Sequence, residues 1–370
     1  MNILQIVSFR QYRGAELSAW NLSKQLQEEG NRLFWVGLFT HNETELVLPN
    51  AVNADMPGRK KYLNFEKVKA LKKFIREHNI DVIQANGAET LKYAVAATMF
   101  RKSPPIIYRN ISQVSFWMKN SFFKRMLSGF LLGRADAIVS VGKISRNDVV
   151  AAFPNLESKT SVIYRGVPIN IVSKDESDKK VRARFSLSHS ARILSWVGAL
   201  SSEKNPFFMI DVMKKVVEKI PEAILLMAGK GPLENDLKKE IEVAGLGSSV
   251  LLVGYQSNLE EVYAASELFL LASETEGVPG VILEAAIQST PSVAVNVGGV
   301  TEVVRQKETG LVISGHDATE FSKAVLDLLN EPAEIKRLGA NAAAYVTDQF
   351  NEKQNAKKFL SLYNKMKESA

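Results

Sequence analysis

The strongest constraint on this chain is an alternation of short apolar runs and helical stretches that runs through the sequence twice. Runs rich in apolar and β-branched residues occur at Ile3–Ser8, Arg32–Leu38, Asp81–Ala85, Pro105–Arg109, Ala137–Val141 and Ser161–Tyr164. Helical patterns such as Glu16–Glu29, Phe65–His78 and Ser145–Ala152 lie between them. The alternation restarts at Arg192–Val197 and continues through Ala223–Met227, Val250–Val253, Leu268–Leu271, Ser292–Val295 and Leu311–Ile313. Near-continuous apolar strands are covered on both faces, and strands separated by helices form parallel sheets. Two such series predict two α/β domains, and 370 residues agree with that number at about 150 per domain. Residues 171–190 have linker composition. The charged stretch Lys174-Asp175-Glu176-Ser177-Asp178-Lys179-Lys180 follows Pro168 and leads into serine-rich text, with room for a short helix around Lys180–Phe185. The expected division is therefore a first domain over 1–170, a linker over 171–190, a second domain over 191–350 and a last helix over 351–370.

Composition removes several classes of function. The chain has no cysteine, which excludes disulfides and thiolate metal sites. Its four histidines, His41, His78, His189 and His316, show no metal-ligand spacing, and no metal or cofactor is expected. Met1 to Phe9 is apolar but short, and Arg10 and Arg13 follow it where a signal peptide would have a small-residue cleavage site. No apolar run approaches the roughly 20 residues that span a bilayer. These features predict a cytoplasmic protein. Charge is uneven: residues 1–170 hold 24 Lys/Arg and 13 Asp/Glu, whereas residues 171–370 hold 23 and 27. Between Glu89 and Asp136 lie Lys92, Arg101, Lys102, Arg109, Lys119, Lys124, Arg125 and Arg134 with no acid among them. Such an excess predicts an anionic partner for the first half.

The stretch Ala272-Ser273-Glu274-Thr275-Glu276-Gly277-Val278-Pro279-Gly280-Val281-Ile282-Leu283-Glu284-Ala285 follows an apolar strand and opens a helix. Gly277, Pro279 and Gly280 make a tight turn that brings backbone close to a ligand, and Pro279 suits the first helical position. The helix start then offers unpaired N–H groups and partial positive charge, a seat for a diphosphate. Glu276 in the loop and Glu284 in the helix flank that seat with acceptors suited to sugar hydroxyls. A glutamate early in a helix is also what the helix dipole alone favours, so the turn by itself leaves both readings open.

These residues resemble the pattern of glycosyltransferase family 4, two glutamates separated by seven residues. The resemblance extends in order along residues 190–350. Val197-Gly198-Ala199-Leu200-Ser201-Ser202-Glu203-Lys204-Asn205 looks like the family's first strand and phosphate-binding loop. Ala228-Gly229-Lys230-Gly231-Pro232 is similar to its Gly-x-Gly-Pro turn, and Val253-Gly254-Tyr255 to the segment that reads the nucleobase. Val297-Gly298-Gly299-Val300-Thr301-Glu302 and Thr309-Gly310-Leu311 look like its closing loops. The resemblance implies the GT-B fold, two Rossmann-like domains whose parallel sheets face across a cleft, with the last helix crossing back to the first domain. It also implies a retaining transfer of sugar from a nucleotide diphosphate, with uridine favoured over guanosine as the base. Glu284 would then bind ribose, Glu276 the donor sugar and Lys204 the diphosphate. Gly280, Gly277, Pro279, Val281, Gly198, Gly229, Gly254 and Tyr255 would complete the donor site. Relatives commonly have arginine where this chain has Ala199, which leaves Lys204 and the helix start to hold the diphosphate.

The first half carries weaker counterparts. Arg13-Gly14-Ala15-Glu16 resembles the family's Gly-Gly-x-Glu loop, with Arg13 in place of the first glycine. Gln84 and Asn86 stand where relatives often read His-x-His, and Tyr108-Arg109-Asn110 where a strand end often carries histidine. Arg165 replaces the asparagine of an interdomain Asn-Gly-Val segment. Arg13, Gly14, Glu16, Asn86, Arg109, Asn110 and Arg165 are thus the expected acceptor-side or cleft residues, and Arg109 or Arg165 could supply the charge missing at Ala199. A retaining enzyme needs no protein base, because the leaving phosphate can take the acceptor's proton.

Ser115-Phe116-Trp117-Met118-Lys119-Asn120-Ser121-Phe122-Phe123-Lys124-Arg125-Met126 interleaves aromatic and basic residues. Two readings fit: a core helix with a solvated basic face, or a segment of residues 90–135 lying on an anionic membrane. The partners expected are a nucleotide diphosphate sugar, a glycan or lipid-linked acceptor and that membrane surface, with no nucleic acid. Two alternatives share the architecture: a nucleotide-sugar 2-epimerase, disfavoured by the scarcity of histidine, and a non-catalytic nucleotide-sugar binder. A glycosidase reading of Glu276 and Glu284 has no other support in the chain.

Overall fold

The computed structural model describes residues 1–11, 14–40, 45–56, 64–99, 103–118 and 121–369. The chain forms two compact units, Met1–Pro168 with Asn351–Ala370, and Ile169–Phe350. The first unit runs β1 (Asn2–Phe9), α1 (Gly14–Glu28), β2 (Arg32–Phe39), β3 (Val52–Asp55), α2 (Phe65–Glu77), β4 (Val82–Asn86), α3 (Ala88–Thr98), β5 (Ile106–Asn110), α4 (Val114–Met118), α5 (Phe122–Arg134), β6 (Ala137–Ser140), α6 (Lys143–Ala152) and β7 (Thr160–Val162). The second runs α7 (Lys174–Phe185), β8 (Arg192–Val197), α8 (Pro206–Lys219), β9 (Ala223–Ala228), α9 (Glu234–Val243), β10 (Val250–Gly254), α10 (Leu259–Ala265), β11 (Leu268–Leu271), α11 (Gly280–Ile287), β12 (Ser292–Val295), β13 (Gly310–Ile313), α12 (Ala318–Leu329) and α13 (Pro332–Gln349). The chain then returns to the first unit as α14 (Glu352–Glu368).

Each unit is built on one parallel sheet, as the alternation predicts. Strand order is β3-β2-β1-β4-β5-β6-β7 in the first and β10-β9-β8-β11-β12-β13 in the second. Successive strand residues point to opposite faces, and both faces are covered. In the first sheet Leu4, Phe34 and Ile83 pack on one side with Leu71 and Leu91. Their neighbours Ile3, Leu33 and Val82 pack on the other with Ala19, Phe359 and Tyr363. The order reverses beside β1 in the first sheet and beside β8 in the second. In open α/β sheets, ligand sites form outside the carboxyl ends of the strands at this reversal.

Three local features depart from the sequence reading. β3 was not anticipated. It is a four-residue edge strand, held where Arg10 donates to Asp55 at 2.8 and 2.9 Å and to Glu45 at 2.7 Å. Within 171–190, residues of linker composition form the three-turn helix α7. Ser173 caps it, and it buries Val181 against Ile193, Leu226 and Val262. Pro279 is the residue before the first helical position of α11 rather than at it. Among the described residues no helix is long and apolar enough to cross a membrane.

The return of the chain is closely fitted. Val167 bridges Asn351 in parallel, and a Cβ on Gly166 would lie 2.4 Å from the Cα of Glu352. Asn351 then caps α14, accepting from the amides of Lys353 and Gln354 at 3.0 and 3.2 Å. Ala356, Phe359 and Tyr363, spaced for one helix face, are each 1% exposed or less. Phe359→Ala should therefore destabilise the first unit by about 3–5 kcal/mol, the usual cost of deleting a buried aromatic. Urea unfolding followed by circular dichroism measures it, and a loss near zero would mean that α14 is not part of that core.

Candidate functional site

In the second unit the loops after β8 and β11 meet at the reversal point. β8 ends at Val197, and Gly198-Ala199-Leu200-Ser201 leads into a 3-10 turn over Ser202–Lys204. The Glu274 amide donates to the Glu203 carbonyl at 2.8 Å, which ties the two loops together. Asn205 donates to Glu274 at 2.7 Å. Lys204 Nζ donates to Glu276 Oε1 at 2.7 Å, and Ser273 Oγ donates to the same oxygen at 2.6 Å. The lysine side chain is 25% exposed and the glutamate 10%. The structure thus joins two of the expected site residues in one partly buried ion pair.

Glycines make this packing feasible. Gly298 has φ +48°, and a Cβ there would lie 1.7 Å from the Glu276 carbonyl oxygen. At Gly299 a Cβ would lie 2.1 Å from the Gly277 carbonyl oxygen, to which the Gly299 amide donates at 2.8 Å. On the other side, Gly229 has φ +148° and sits with its would-be Cβ 1.8 Å from the Gly198 carbonyl oxygen. Its amide donates to the Gly254 carbonyl at 2.9 Å, which brings the end of β10 alongside. Tyr255 follows with 69% of its surface exposed. The loops that carry Gly198, Gly229, Gly254, Glu276 and Gly277 therefore form one continuous backbone layer at the carboxyl edge of the sheet.

α11 rises from this layer. Pro279 precedes it, Gly280 and Val281 are its first residues, and no side chain caps its start. Its leading amides, with the positive end of the dipole, are open to an anion. Glu284 lies four residues in, roughly 6 Å along the axis. The buried Tyr263 hydroxyl of α10 donates to Glu284 Oε2 at 3.1 Å. Burial, followed by the charge of Glu284 and its hydrogen bond, pushes the Tyr263 phenol well above its usual value, so the hydroxyl stays a donor. Tyr263 and Ser273 hold the two glutamates. Sequence reading passed over both, since a tyrosine in a short helix and a serine after a strand carry no local signal of a tertiary partner. His316 also lies here, its Nε2 3.0 Å from the Ala272 carbonyl oxygen and its ring edge-on to Phe208.

The first unit treats its expected residues differently. Arg13 lies outside the described residues. Gly14 and Glu16 fall in the first turn of α1, Gly14 exposed and Glu16 half-buried. Asn86 and Asn110 are buried rather than lining open space. Asn86 donates to Gln5 at 3.0 Å and to the Ile6 carbonyl at 3.1 Å, and Asn110 donates to Ser140 and the Ser145 carbonyl at 3.3 Å. Arg109 is only 2% exposed and donates to Ser18 at 2.7 Å. Burial, with Arg165 as a second cause, pushes its guanidinium down to about 10. Arg165 itself is half-buried beside it.

Within residues 90–135, α5 carries Phe122, Phe123, Met126, Leu127 and Phe130, exposed by 74, 75, 59, 50 and 52%. At about 100° per residue these five side chains fall within an arc of roughly 140°, on the side away from the buried Leu132. Lys119 and Asn120 lie outside the described residues, as do Arg101 and Lys102. The reading of this stretch as a core helix does not hold for α5, of which only Leu132 is buried.

Comparison with known proteins gives a consistent result for both units. Residues 177–345 match the family model described as Glycosyl transferases group 1, and residues 12–170 match Glycosyltransferase Family 4. The chain is 27% identical over 212 residues to the UDP-Gal:alpha-D-GlcNAc-diphosphoundecaprenol alpha-1,3-galactosyltransferase of Escherichia coli, covering 55% of this chain and 54% of that protein. It is 25% identical over 246 residues to the lipopolysaccharide core biosynthesis mannosyltransferase LpsB of Rhizobium meliloti, covering 65% and 68%. The match to the Escherichia coli protein thus spans about half of that protein's length. Among solved structures, Anabaena Alr3699/HepE in complex with UDP superposes with a TM-score of 0.87 at 18% identity, over 99% of this chain and 100% of that one. Sucrose-phosphate synthase of Thermosynechococcus elongatus gives 0.85 at 19%, over 100% of both chains. The architecture is the GT-B fold.

The Gly298 contact yields a test that does not depend on function. Gly298→Ala should destabilise the second unit by about 1–3 kcal/mol, since it adds strain at a positive φ to a backbone collision. Gly247→Ala, where a Cβ meets nothing within 4 Å, should be near neutral. Equal midpoints for both variants in chemical denaturation would show that the loops do not pack this closely.

Proposed function

The chain belongs to the family 4 type of glycosyltransferases, and from that premise we propose that it moves a sugar from a nucleotide diphosphate sugar to a glycan or lipid-linked acceptor with retention of configuration. The observation that carries this reading is the uncapped start of α11, with Lys204–Glu276 beside it and Glu284 within it. The diphosphate sits on the amides of Gly280 and Val281 and takes the Lys204 ammonium. Glu284, oriented by Tyr263, accepts from the ribose hydroxyls. Glu276 keeps its bond from Ser273 and turns its other acceptors to the donor sugar. Tyr255 and the turn at Gly254 lie beside the base. UDP is favoured over GDP because the Escherichia coli relative is named for UDP-Gal and the Anabaena structure holds UDP.

In the reaction the bond from the anomeric carbon to the phosphate oxygen breaks, and a bond from that carbon to the acceptor oxygen forms on the same face. The acceptor's proton passes to the departing phosphate. Lys204 and the α11 dipole stabilise the charge that develops there, so positioning and electrostatics carry the acceleration.

Glu284→Ala should weaken donor binding by about 1.5–3 kcal/mol, the worth of hydrogen bonds to a charged group. Tyr263→Phe should weaken it by less, through loss of orientation. Lys204→Ala should lower kcat by about 10²–10³. Calorimetry with UDP-sugars and steady-state kinetics measure these effects. Wild-type donor affinity in Glu284→Ala together with wild-type turnover in Lys204→Ala would remove the assignment.

The same reading includes peripheral attachment to an anionic membrane on its cytoplasmic face. It is supported by the exposed apolar face of α5, its flanking Lys124 and Arg134, and the absence of acid from Lys92 to Arg134. Apolar side chains enter the lipid boundary, and each nearby basic residue adds about 1 kcal/mol. The Escherichia coli relative is named for an acceptor on a diphosphoundecaprenol lipid. The full chain should sediment with phosphatidylglycerol vesicles and not with phosphatidylcholine vesicles. A Phe122→Ser, Phe123→Ser, Phe130→Ser variant should remain in the supernatant. Recovery of wild type in the supernatant with both lipids would end this part of the proposal.

A further inference from the structure

One face of the first sheet is polar where a buried parallel strand is ordinarily apolar. Gln5 on β1 pairs in register with Gln84 on β4, and Asn86 on β4 pairs with Arg109 on β5. All four are buried under α1 and α14. Three of them bond in a row: Tyr363 donates to Gln84, Gln84 donates to Asn86 at 2.9 Å, and Asn86 donates to Gln5 at 3.0 Å, which leaves Gln5 Nε2 without an acceptor.

Arg109 stands outside this chain of bonds. Its Nη2 donates to Ser18, while its Nε and Nη1 have no acceptor. The guanidinium lies over the ring of Phe359, 5.9 Å from its centroid. Asn355 on α14 is 2% exposed, and its Nδ2 likewise has no acceptor, although its Oδ1 accepts from Lys358 at 3.1 Å. Ser18, Arg109 and Asn355 line one small cavity together with Asn21, Tyr164 and Glu352. Glu352 does not pair with Arg109. Its carboxylate accepts from Gln25 at 3.2 Å, and burial with the neighbouring Glu28 pushes its pKa up. Arg165 adds a second positive charge near Arg109, which is one reason the Arg109 guanidinium is pushed down. The cavity is thus lined by donor nitrogens in surplus, next to a buried charge that no carboxylate neutralises.

We infer that this cavity is a binding site for a single chloride-sized anion, held by Arg109 Nε and Nη1 and Asn355 Nδ2, which fastens α14 to β5 and α1. Size only bounds the occupant from above: the cavity volume of about 10 Å³ leaves room for one small species and none for a larger ligand such as phosphate. Charge separates the anion from water: a water satisfies donors but leaves the guanidinium uncompensated in a low-dielectric site. The site belongs to the first unit alone and is independent of the proposed donor chemistry.

The test uses the full chain. Thermal unfolding is followed while sodium chloride replaces sodium gluconate at constant ionic strength, and crystals grown in sodium bromide are examined by anomalous diffraction. The midpoint should rise with chloride and then saturate, as expected when a ligand binds only the folded state. A bromide peak should lie between Arg109 and Asn355. Asn355→Asp supplies a carboxylate within the cavity and should make the midpoint independent of chloride while the protein stays folded. Equal midpoints in both salts, a bromide peak with no effect on stability (an adventitious ion only), or a full chloride response in Asn355→Asp would each overturn the inference.

Discussion

Backbone packed on backbone is the constraint from which the site in the second unit follows. At Gly229, Gly231, Gly298 and Gly299 a Cβ would lie 1.8, 2.4, 1.7 and 2.1 Å from a carbonyl oxygen of a neighbouring loop. No rotamer change relieves such a contact, because the obstacle is main chain. With glycine in place, the loops after β8, β9, β11 and β12 share hydrogen bonds: Leu200 to Lys230 at 3.1 Å, Gly229 to Gly254 at 2.9 Å and Gly299 to Gly277 at 2.8 Å. A layer built this way fixes the positions of Lys204 and Glu276 through rigid main chain rather than through flexible side-chain packing. It also consumes polar groups between the loops, while the α11 start has no side-chain cap, which is the condition for anion binding at a helix start.

What the sequence disclosed follows from the range over which each signal acts. Apolar runs and helical periodicity are local, so the two parallel sheets could be read directly. The Gly-rich turns were legible because glycine at a loop end reports a close approach that only glycine permits. β3 was not legible: Val52–Asp55 is half-buried on both faces, has no alternation, and is an edge strand secured by Arg10 from a distant part of the chain. The charged text of α7 let only the second half of the helix be read, around Lys180–Phe185, because the helix buries no more than Ser177 and Val181. Tyr263 and Ser273 were missed because their role is to meet glutamates brought near by folding. Asn86, Arg109 and Asn110 were read as lining. Their polarity was a real signal, but in the structure Asn86 and Asn110 bond to neighbours inside the unit and Arg109 reaches only Ser18.

The two units handle polarity in opposite ways. The second holds Lys204 and the α11 start at loop ends within reach of solvent, and its strands are apolar apart from Arg192, Ser195 and Ser292. The first places glutamine, asparagine and arginine in the middle of its sheet and leaves apolar side chains outside on α5. Buried polar rows make each unpaired group costly, which makes the seating of α14 specific: Tyr363, Phe359 and Asn355 each meet a particular strand residue or cavity. The exposed α5 face is costly in water unless a surface covers it.

On the proposed reading, the ion pair between Lys204 and Glu276 shapes the balance between donor binding and product release. A lysine already bonded to a carboxylate at 2.7 Å must exchange that partner for the diphosphate, which subtracts from the net gain on binding. The exchange leaves neither group stranded, because Ser273 continues to donate to Glu276 at 2.6 Å and the diphosphate satisfies the ammonium. After transfer the carboxylate is still at hand to reclaim the lysine as the nucleoside diphosphate departs. Interactions that hold substrate and product equally tightly do not speed the chemical step, so a competing partner at the cation restrains ground-state and product affinity. The charge that grows on the leaving oxygen strengthens the contact to Lys204 as the bond breaks. Glu284 is held instead by a neutral donor, the Tyr263 hydroxyl, which bonds one of its carboxylate oxygens at 3.1 Å. One glutamate is therefore paired with a cation and the other with a phenol hydroxyl, a difference that arises from their neighbours and not from their spacing in the chain.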